Sequence, residues 1–269
     1  MKNHFFLSLI LSSIFLSSCL SKADGDFVEE FPEKKLLLSK IINIYYDNPN
    51  NPETTVGTLS YNDDKQLVAS DSDGRTATFE YDASGKPLKA NYYKLDKTLE
   101  YYSLYSYNGE QLTNIKSVYE NPSSNRNVFY TYDSKGKVET STLCQTTDCS
   151  GASKSSYVYN GDNVSVETNV LGGTLAYTYK VEFSYDDKSN PFTNVNSNLR
   201  IMMGGANTLS KNNYTSEKIS SKNNDGTWTQ NQNISYTIEY NDSNLPTKVV
   251  GKDANGNKYV EQNYEYISK

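Results

Sequence analysis

Apolar and polar side chains alternate without interruption in Leu175-Ala176-Tyr177-Thr178-Tyr179-Lys180-Val181-Glu182-Phe183-Ser184-Tyr185. Successive residues of a β-strand point to opposite faces, so this stretch predicts one apolar, tyrosine-rich face and one polar face. Residues 234–240 alternate in the same way, with Ile234, Tyr236, Ile238 and Tyr240 on the apolar side. Helical periodicity is weak beyond residue 18, and the sequence therefore predicts an all-β fold.

The end of this stretch belongs to a pattern that recurs along the chain. The pattern is an apolar residue, any residue, Tyr, then Asp or Asn, followed by a short turn and another apolar residue. Its copies centre on the following tyrosines: Tyr61, Tyr81, Tyr107, Tyr132, Tyr159, Tyr185 and Tyr240. The spacing is close to 26 residues for most of the chain, and about 20 between the first two copies. A degenerate copy is expected at Tyr214, and Tyr264-Glu265-Tyr266 is expected to be a final strand.

Turn residues divide each repeat into two strands. Asn108-Gly109 and Asn160-Gly161 predict two-residue type I′ hairpin turns, and Asp82-Ala83-Ser84-Gly85 and Asp133-Ser134-Lys135-Gly136 predict type I turns closed by a left-handed glycine. The Asp or Asn after each tyrosine is expected to accept backbone N–H groups across the turn. Looser turns lie between these, so the prediction is a long antiparallel meander of about eight hairpin repeats, or about 16 to 18 strands.

An open sheet of that many strands is not expected to stay flat, because twisted sheets rarely exceed about 10 strands without curling or splitting. Either the meander curls with its tyrosine face inward, or it folds into two packed layers. The regular repeat favours a curled or spiralling sheet, since each hairpin then contacts mainly its neighbours. The repeated tyrosine is interpreted as a sheet-packing residue rather than a ligand-stacking one.

These residues resemble the YD repeat of RHS proteins. The resemblance is carried by Gly74-Arg75-Thr76-Ala77-Thr78-Phe79-Glu80-Tyr81-Asp82-Ala83-Ser84-Gly85-Lys86-Pro87-Leu88 and by Tyr130-Thr131-Tyr132-Asp133-Ser134-Lys135-Gly136-Lys137-Val138. Large RHS proteins coil such hairpins into hollow shells, so the resemblance implies a spiralling sheet here. Phe79 and Lys86 depart from the motif, several copies carry Asn for Asp, and about eight units are too few for a closed shell of that kind.

The first 18 residues have the features of a bacterial export signal. A short basic start precedes a run from Phe5 to Leu16 that is almost entirely apolar and shorter than the about 20 residues that a spanning helix needs. Leu16-Ser17-Ser18-Cys19 resembles the lipobox, in which the cysteine carries diacylglycerol and becomes the mature N-terminus. The alternative is an ordinary signal peptide whose cleavage site happens to contain a cysteine.

Behind Cys19 the chain is acidic and lacks an apolar period. We therefore expect residues 19–33 to form a lipidated cysteine and a flexible tether, and residues 34–269 to form the repeat domain. The acidic stretch resembles the tether of Bacteroidota-type surface lipoproteins, which implies a lipid anchor at the outer membrane and exposure at the cell surface. The alternative is a plain solvated linker.

Composition excludes several function classes. The mature chain loses Lys2, which leaves 25 basic and 32 acidic residues, a net charge of −7. No basic cluster is present, so nucleic acid is not an expected partner. The single histidine, His4, lies in the signal, which removes the usual Ser-His-Asp and Cys-His chemistry and histidine metal sites from the mature protein. No cofactor is expected.

Two local features are candidate sites. Cys144 and Cys149 lie near a loose turn and are expected to pair in an oxidising envelope compartment, with free thiols as the alternative. Trp228 lies among Thr and amide residues, an arrangement typical of sugar-binding surfaces, although a lone Trp is more often a packing residue.

The sequence thus predicts a non-enzymatic envelope lipoprotein, held in the membrane by lipid on Cys19, whose β-repeat domain binds or adheres to a glycan or an envelope protein. One alternative is a structural accessory subunit of an outer-membrane complex. The other is a carboxylate-based glycosidase, for which no acidic pair stands out among the 32 acidic residues.

Overall fold

The computed structural model describes residues 35–173 and 176–269. The signal peptide, Cys19, the tether and Leu175 lie outside these residues. Sixteen strands in the described part pair antiparallel, each with its neighbours in the chain, and form one closed barrel. The all-β hairpin meander is therefore confirmed.

The strands follow one another with only one long insertion, between β12 and β13. Their bounds are β1 Leu36–Tyr45, β2 Glu53–Tyr61, β3 Leu67–Ser72, β4 Arg75–Tyr81, β5 Pro87–Tyr93, β6 Leu99–Asn108, β7 Gln111–Tyr119, β8 Arg126–Tyr132, β9 Val138–Cys144, β10 Ser153–Asn160, β11 Asn163–Leu171, β12 Tyr177–Ser189, β13 Asn212–Lys222, β14 Trp228–Tyr240, β15 Pro246–Lys252 and β16 Lys258–Ser268. Two short helices fall in the insertion, α1 Ser197–Met203 and α2 Ala206–Leu209, and one 3₁₀ turn spans Pro122–Ser124.

The curled or spiralling sheet that the sequence predicted is wrong, because the two ends of the meander meet. Strand β1 pairs antiparallel with β16 along nearly its whole length, from Leu36 opposite Ser268 to Tyr45 opposite Val260. Strand β1 lacks the tyrosine motif, and it supplies the partner that the final strand would otherwise lack. Closure removes both sheet edges and with them the unpaired backbone groups of edge strands.

Each motif tyrosine marks a bulge in the wall. The pairing register shifts immediately before Tyr61, Tyr81, Tyr107, Tyr132 and their equivalents. At most of these positions the hydroxyl donates to the carbonyl of a residue at the start of an earlier strand. Such bonds join Tyr61 to Leu38, Tyr81 to Leu67, Tyr107 to Pro87, Tyr132 to Leu112, Tyr185 to Val164 and Tyr266 to Pro246, with O···O distances of 2.5–2.9 Å. The repeated tyrosine is thus a packing residue that ties one hairpin to the preceding one.

The turns confirm part of the predicted turn chemistry. Asp82 accepts the backbone N–H groups of Ser84 and Lys86 at 2.8 and 2.9 Å, and Gly85 closes the turn at φ +84°. The type I′ assignment at Asn108-Gly109 is wrong. Asn108 pairs with Gln111, so Gly109 is the first central residue and the only one at positive φ, as in a type II′ turn.

The two faces of the wall differ as the alternation predicts. Tyrosines and aliphatic residues face inward, and Leu59, Phe79, Tyr105, Leu112 and Tyr157 are among those buried there. The outward face carries charged pairs across neighbouring strands. Lys40 Nζ lies 2.9 Å from Glu265 Oε1, Lys89 Nζ lies 3.7 Å from Glu80 Oε1, and Glu182 and Glu239 stand directly opposite Lys218 and Lys248.

Residues 190–211, which we call the plug, fill one end of the barrel. Asn194 Nδ2 donates to Leu36 O at 2.7 Å, Asn196 Nδ2 to Gly85 O at 3.2 Å, and the Lys211 backbone N–H to Asp162 O at 3.2 Å. These bonds connect the plug to three separate parts of the barrel rim. We call this end of the barrel the plugged end. The opposite end, where Asp73-Gly74 and residues 94–98 turn, is the mouth.

The plug was missed from the sequence. Tyr214 is not a degenerate repeat, because it lies on β13, the strand that follows the plug, and pairs with Tyr185. The unusually long interval between Tyr185 and Tyr240 was the available signal for an insertion. Among the described residues, no helix has the length and apolar character needed to cross a bilayer.

The barrel lumen as the candidate binding site

The plug forms the floor of the lumen. Leu199 is fully buried. Met202 lies among the inward tyrosines, and its Sδ accepts hydrogen bonds from the Tyr92 hydroxyl at 3.5 Å and the Tyr105 hydroxyl at 2.7 Å. The chain turns at Gly204-Gly205, both at positive φ, and returns through α2. The plug is therefore held from inside by apolar packing and at the rim by backbone bonds.

A ladder of stacked tyrosines lines one side of the lumen. The ring centroids of Tyr92 and Tyr101 are 4.4 Å apart, and those of Tyr101 and Tyr119 are 4.5 Å apart. The guanidinium of Arg126 lies 5.0 Å from the Tyr119 centroid and ends the ladder toward the mouth. A cavity of about 260 Å³ adjoins Tyr92 and Tyr101. Aromatic faces and edges beside a cavity can pack against a ring of a ligand.

An acidic pocket of about 290 Å³ lies at the wall formed by β11, β12 and β13, with the plug at its base. Its aromatic lining is Tyr179, Phe183 and Tyr214, and its carboxylates are Glu167 and Glu217. Glu167 Oε2 accepts the backbone N–H of Ala206 at 3.0 Å, and its Oε1 accepts the buried amide of Asn169 at 3.1 Å. Glu167 thus connects the wall to the plug.

Glu217 faces inward on β13, directly opposite Phe183 and Ile234 of the two neighbouring strands. Burial raises the pKa of the Glu217 carboxyl above its ordinary value, and the nearby Glu167 carboxylate raises it further, whereas hydrogen bonds from Tyr236 and Tyr214 partly oppose the shift. Within residues 35–173 and 176–269, neither Glu167 nor Glu217 forms an ion pair with a basic side chain. The pocket therefore offers hydrogen-bond acceptors beside aromatic rings.

The side chains that line the lumen suit a ligand that carries hydroxyl groups and a ring. Few, well-placed polar groups among aromatic side chains are typical of small-molecule sites. In the part of the chain that the structure describes, no group of three or more His, Cys, Asp or Glu side chains could hold a metal ion. The sequence predicted that these tyrosines share a face, but not which of them adjoin a cavity. Glu167 and Glu217 were missed, although a glutamate at an inward-facing position of a strand was the available signal.

Trp228 lies on the outer wall, away from the lumen lining. It begins β14, its side chain is 39% exposed, and Lys180 Nζ lies 5.2 Å from its ring. The register places Trp228 on the same outward face as Lys180 and Ser220. Its role in sugar binding stays a prediction, on a surface separate from the tyrosine ladder.

Cys144 ends β9, is buried, and is joined to Cys149 in the following turn. Their Cα atoms are 4.7 Å apart, and Cys149 adopts a positive φ of 55°. Both residues lie at the mouth, at the end of the hairpin that connects β9 and β10. Whether the bond forms in the envelope stays a prediction.

Comparison with solved structures places the fold. A porin-like protein from Bacteroides uniformis matches with a TM-score of 0.54 and 14% identity, over 86% of this chain and 96% of that one. A porin-like protein from Bacteroides vulgatus matches with a TM-score of 0.46 and 12% identity, over 87% and 99% of the two chains. No protein-family model and no curated protein sequence matches this chain.

The resemblance to RHS proteins is thereby corrected. The YD-like motif is present as hairpin chemistry, but the repeats close side by side into a barrel like that of the Bacteroides uniformis protein, and do not spiral into an RHS-like sheet. The motif is short and covers only a turn with its flanking tyrosine. It therefore determines the structure of one hairpin, but not how successive hairpins are arranged. The likeness shows that the chain has the fold of a porin-like antiparallel β-barrel.

Proposed function

We propose that this protein is a non-enzymatic binding protein of the cell envelope, anchored at the outer membrane by lipid on Cys19, and that its lumen binds a glycan. The observation that carries the proposal is that the lumen wall has a tyrosine ladder on β5 to β7 and an acidic pocket with aromatic lining on β11 to β13, both above the plug. Rings can stack on sugar faces, while carboxylates and amides accept and donate hydrogen bonds to hydroxyls.

The outer wall supports anchoring by lipid rather than by a spanning barrel. Transmembrane barrels present an apolar band outward and a polar interior. Here the order is reversed, because charged pairs such as Lys40–Glu265 and Glu80–Lys89 lie on the outer face and tyrosines face inward. Burying such charges in hydrocarbon is costly. Attachment to the membrane therefore falls to the acyl chains on Cys19.

Chain direction supports a mouth that is left free by the membrane attachment. The first described residues, Lys35 and Leu36, lie at the plugged end, where Asn194 contacts Leu36. A lipid on Cys19 would be connected to that end by the short segment that precedes it. The mouth is at the opposite end of the barrel, so the attachment would leave it open to a glycan.

A glycan-array measurement with the purified protein tests the proposal. The wild-type protein is expected to bind one class of glycan. Tyr101→Ala is expected to weaken that binding about fivefold, because stacking on an aromatic ring contributes about 1 kcal/mol. Trp228→Ala is the matched comparison on the outer wall and should leave lumen binding unchanged. Binding lost with Trp228→Ala but kept with Tyr101→Ala would move the site to the outer wall. A blank array from folded protein would contradict glycan binding altogether.

Carboxylate-based glycoside hydrolysis is the second candidate, favoured by one observation. Glu217, whose pKa is raised by burial and by Glu167, lies in the same pocket as that second carboxylate. A carboxyl group of raised pKa next to a second carboxylate is the kind of pair that such hydrolysis uses. Release of reducing ends from a glycan that binds, lost in Glu217→Gln while binding is kept, would establish the enzyme. Binding without release would support the non-enzymatic function.

A further inference from the structure

A second cavity, of about 300 Å³, lies at the plugged end and shares no lining residue with the cavity beside the ladder or with the acidic pocket. It is enclosed by the turns after β8 and β10 on one side and by the plug on the other. Three basic side chains line it, Lys137, Arg200 and Lys211, against one carboxylate, Asp162. The protein as a whole is acidic, so three cations around one cavity are a local exception to the overall charge.

Arg200 is the innermost of the three. Its Nε donates to Thr208 O at 2.6 Å and its Nη2 to Ser210 O at 2.8 Å, which fixes the guanidinium between α1 and the end of the plug. Burial lowers the pKa of Arg200, and no carboxylate lies within ion-pair distance of it among the described residues. A largely buried charge without an opposite charge is costly unless a ligand supplies one.

The remaining charges leave the cavity positive. Lys137 Nζ lies 2.8 Å from Asp162 Oδ1, and that bond lowers the pKa of Asp162, so this lysine and this carboxylate neutralise each other. The Lys211 side chain forms no hydrogen bond or ion pair within residues 35–173 and 176–269, and it lines the cavity. Arg200 and Lys211 therefore contribute two uncompensated positive charges. The Thr193 and Ser197 side chains also line the cavity.

The geometry points to a binding site for a phosphate-bearing ligand in this cavity, held by Arg200 and Lys211. A planar guanidinium and a lysine ammonium are the side chains that most often hold phosphate oxygens. The volume exceeds that of a phosphate ion, so it admits a phosphate with an attached glycerol or similar group. The shared chemistry is a phosphate, which either a lipid headgroup or free phosphate could supply.

The position of the cavity gives the headgroup a route of access. The plugged end is where the chain enters the barrel, beside Leu36. If Cys19 carries lipid, this end is the one tethered to the membrane. The site shares no lining residue with the two cavities proposed for glycan binding, so its test and that of glycan binding are independent.

Thermal unfolding of the full chain, purified in a neutral detergent, tests the site. Inorganic phosphate and glycerol 3-phosphate are titrated separately, with chloride keeping the ionic strength constant. Each ligand that binds only the folded state raises the unfolding temperature, and the stabilisation grows with the logarithm of one plus the ratio of the free ligand concentration to Kd. Lys211→Gln is expected to weaken the apparent affinity about fivefold to tenfold, because it removes one charge and leaves the Arg200 bonds of the plug untouched.

Lys188→Gln is the matched control, because Lys188 pairs with Asp187 and does not line the cavity. It should titrate like the wild-type protein. Tighter binding of glycerol 3-phosphate than of inorganic phosphate would support a headgroup ligand, and equal or weaker binding would support free phosphate. If neither compound shifts the unfolding temperature beyond the chloride control, or if Lys211→Gln responds like the wild-type protein, the site is refuted.

Discussion

The motif tyrosines combine burial of a ring with a hydrogen bond that only a hydroxyl can make. Tyr132 is half-buried, and its hydroxyl donates to the carbonyl of Leu112 at 2.6 Å; burial raises its pKa to about 12. Tyr81 makes the equivalent bond to Leu67, and its pKa is also raised to about 12. A phenylalanine would keep the ring and leave the carbonyl without its donor. The motif therefore has Tyr because its hydroxyl pairs with a backbone carbonyl of an earlier strand.

Tyr132→Phe is expected to lower the free energy of unfolding by about 1–3 kcal/mol, the cost of leaving a buried polar group unpaired. Tyr45→Phe is the control, because Tyr45 is 39% exposed and no hydroxyl bond is found for it in the described part. Urea unfolding followed by far-ultraviolet circular dichroism gives both values. Equal stability of the two variants would show that the hydroxyl bond contributes nothing.

Glu217 predicts a pH dependence of stability. Its pKa in the folded protein is raised above the ordinary value of 4.5 by burial and by Glu167. A raised carboxyl pKa means that the folded state holds the proton more tightly than the unfolded state. Stability from this group is therefore complete below about pH 4.5 and is lost as the pH rises through the folded-state pKa.

Glu217→Gln removes that titration while an amide oxygen remains to accept from the tyrosines. The variant is expected to unfold at a higher urea concentration than the wild-type protein at pH 7, and the difference should shrink below pH 4.5. Unfolding midpoints measured from pH 4 to pH 8 check this. A difference independent of pH would show that Glu217 has an ordinary pKa.

At the scale of elements, the hairpins and the plug are stabilised by different interactions. Each hairpin is closed by local bonds, such as those from Asp82 to the N–H groups of Ser84 and Lys86. The plug has only short helices, and isolated helices of that length are not stable in water. It is ordered by apolar packing inside the barrel, centred on the fully buried Leu199.

Leu199→Ala is expected to destabilise the protein by about 2–5 kcal/mol, because it leaves a cavity beneath the plug. Met203→Ala, on the same helix but 37% exposed, should cost much less. Urea unfolding of the two variants gives the comparison. A small effect of Leu199→Ala would mean that the plug is held mainly by its hydrogen bonds at the rim.

At the scale of the molecule, closure of the sheet and the charge of the outer wall determine which environment the barrel surface favours. The pairing of β1 with β16 leaves no sheet edge, and the charged pairs outside the wall favour water over hydrocarbon. This exterior is consistent with the proposed attachment through lipid on Cys19. That arrangement also leaves the lumen available as a binding site.

Cys19→Ser is expected to release the full-length protein from the membrane into the soluble fraction of the envelope, because it removes the site of acylation. Fractionation and immunoblotting of wild-type and variant cells measure this. Cys144→Ser is the matched control, since it removes a cysteine without affecting acylation. Persistence of Cys19→Ser in washed membranes would contradict anchoring by lipid.

The sequence alone predicted the strands, most turns and the inward tyrosine face, because alternation and turn chemistry act between residues close in the chain. It did not predict which inward residues adjoin a cavity, so Glu167, Glu217 and the ladder of Tyr92, Tyr101 and Tyr119 emerged only from the structure. Those residues come from different strands, and their proximity depends on register around the wall.

Closure and the plug were decided by tertiary structure. Leu36 pairs with Ser268, which lies at the other end of the repeat domain in sequence, and no local pattern encodes that pairing. The same hairpins can spiral or close. The choice depends on accumulated twist, on the bulges along the wall, seven of which lie at the motif tyrosines, and on a partner strand for β16. Local interactions therefore determined what each hairpin is, and only long-range pairing determined that together they enclose a lumen.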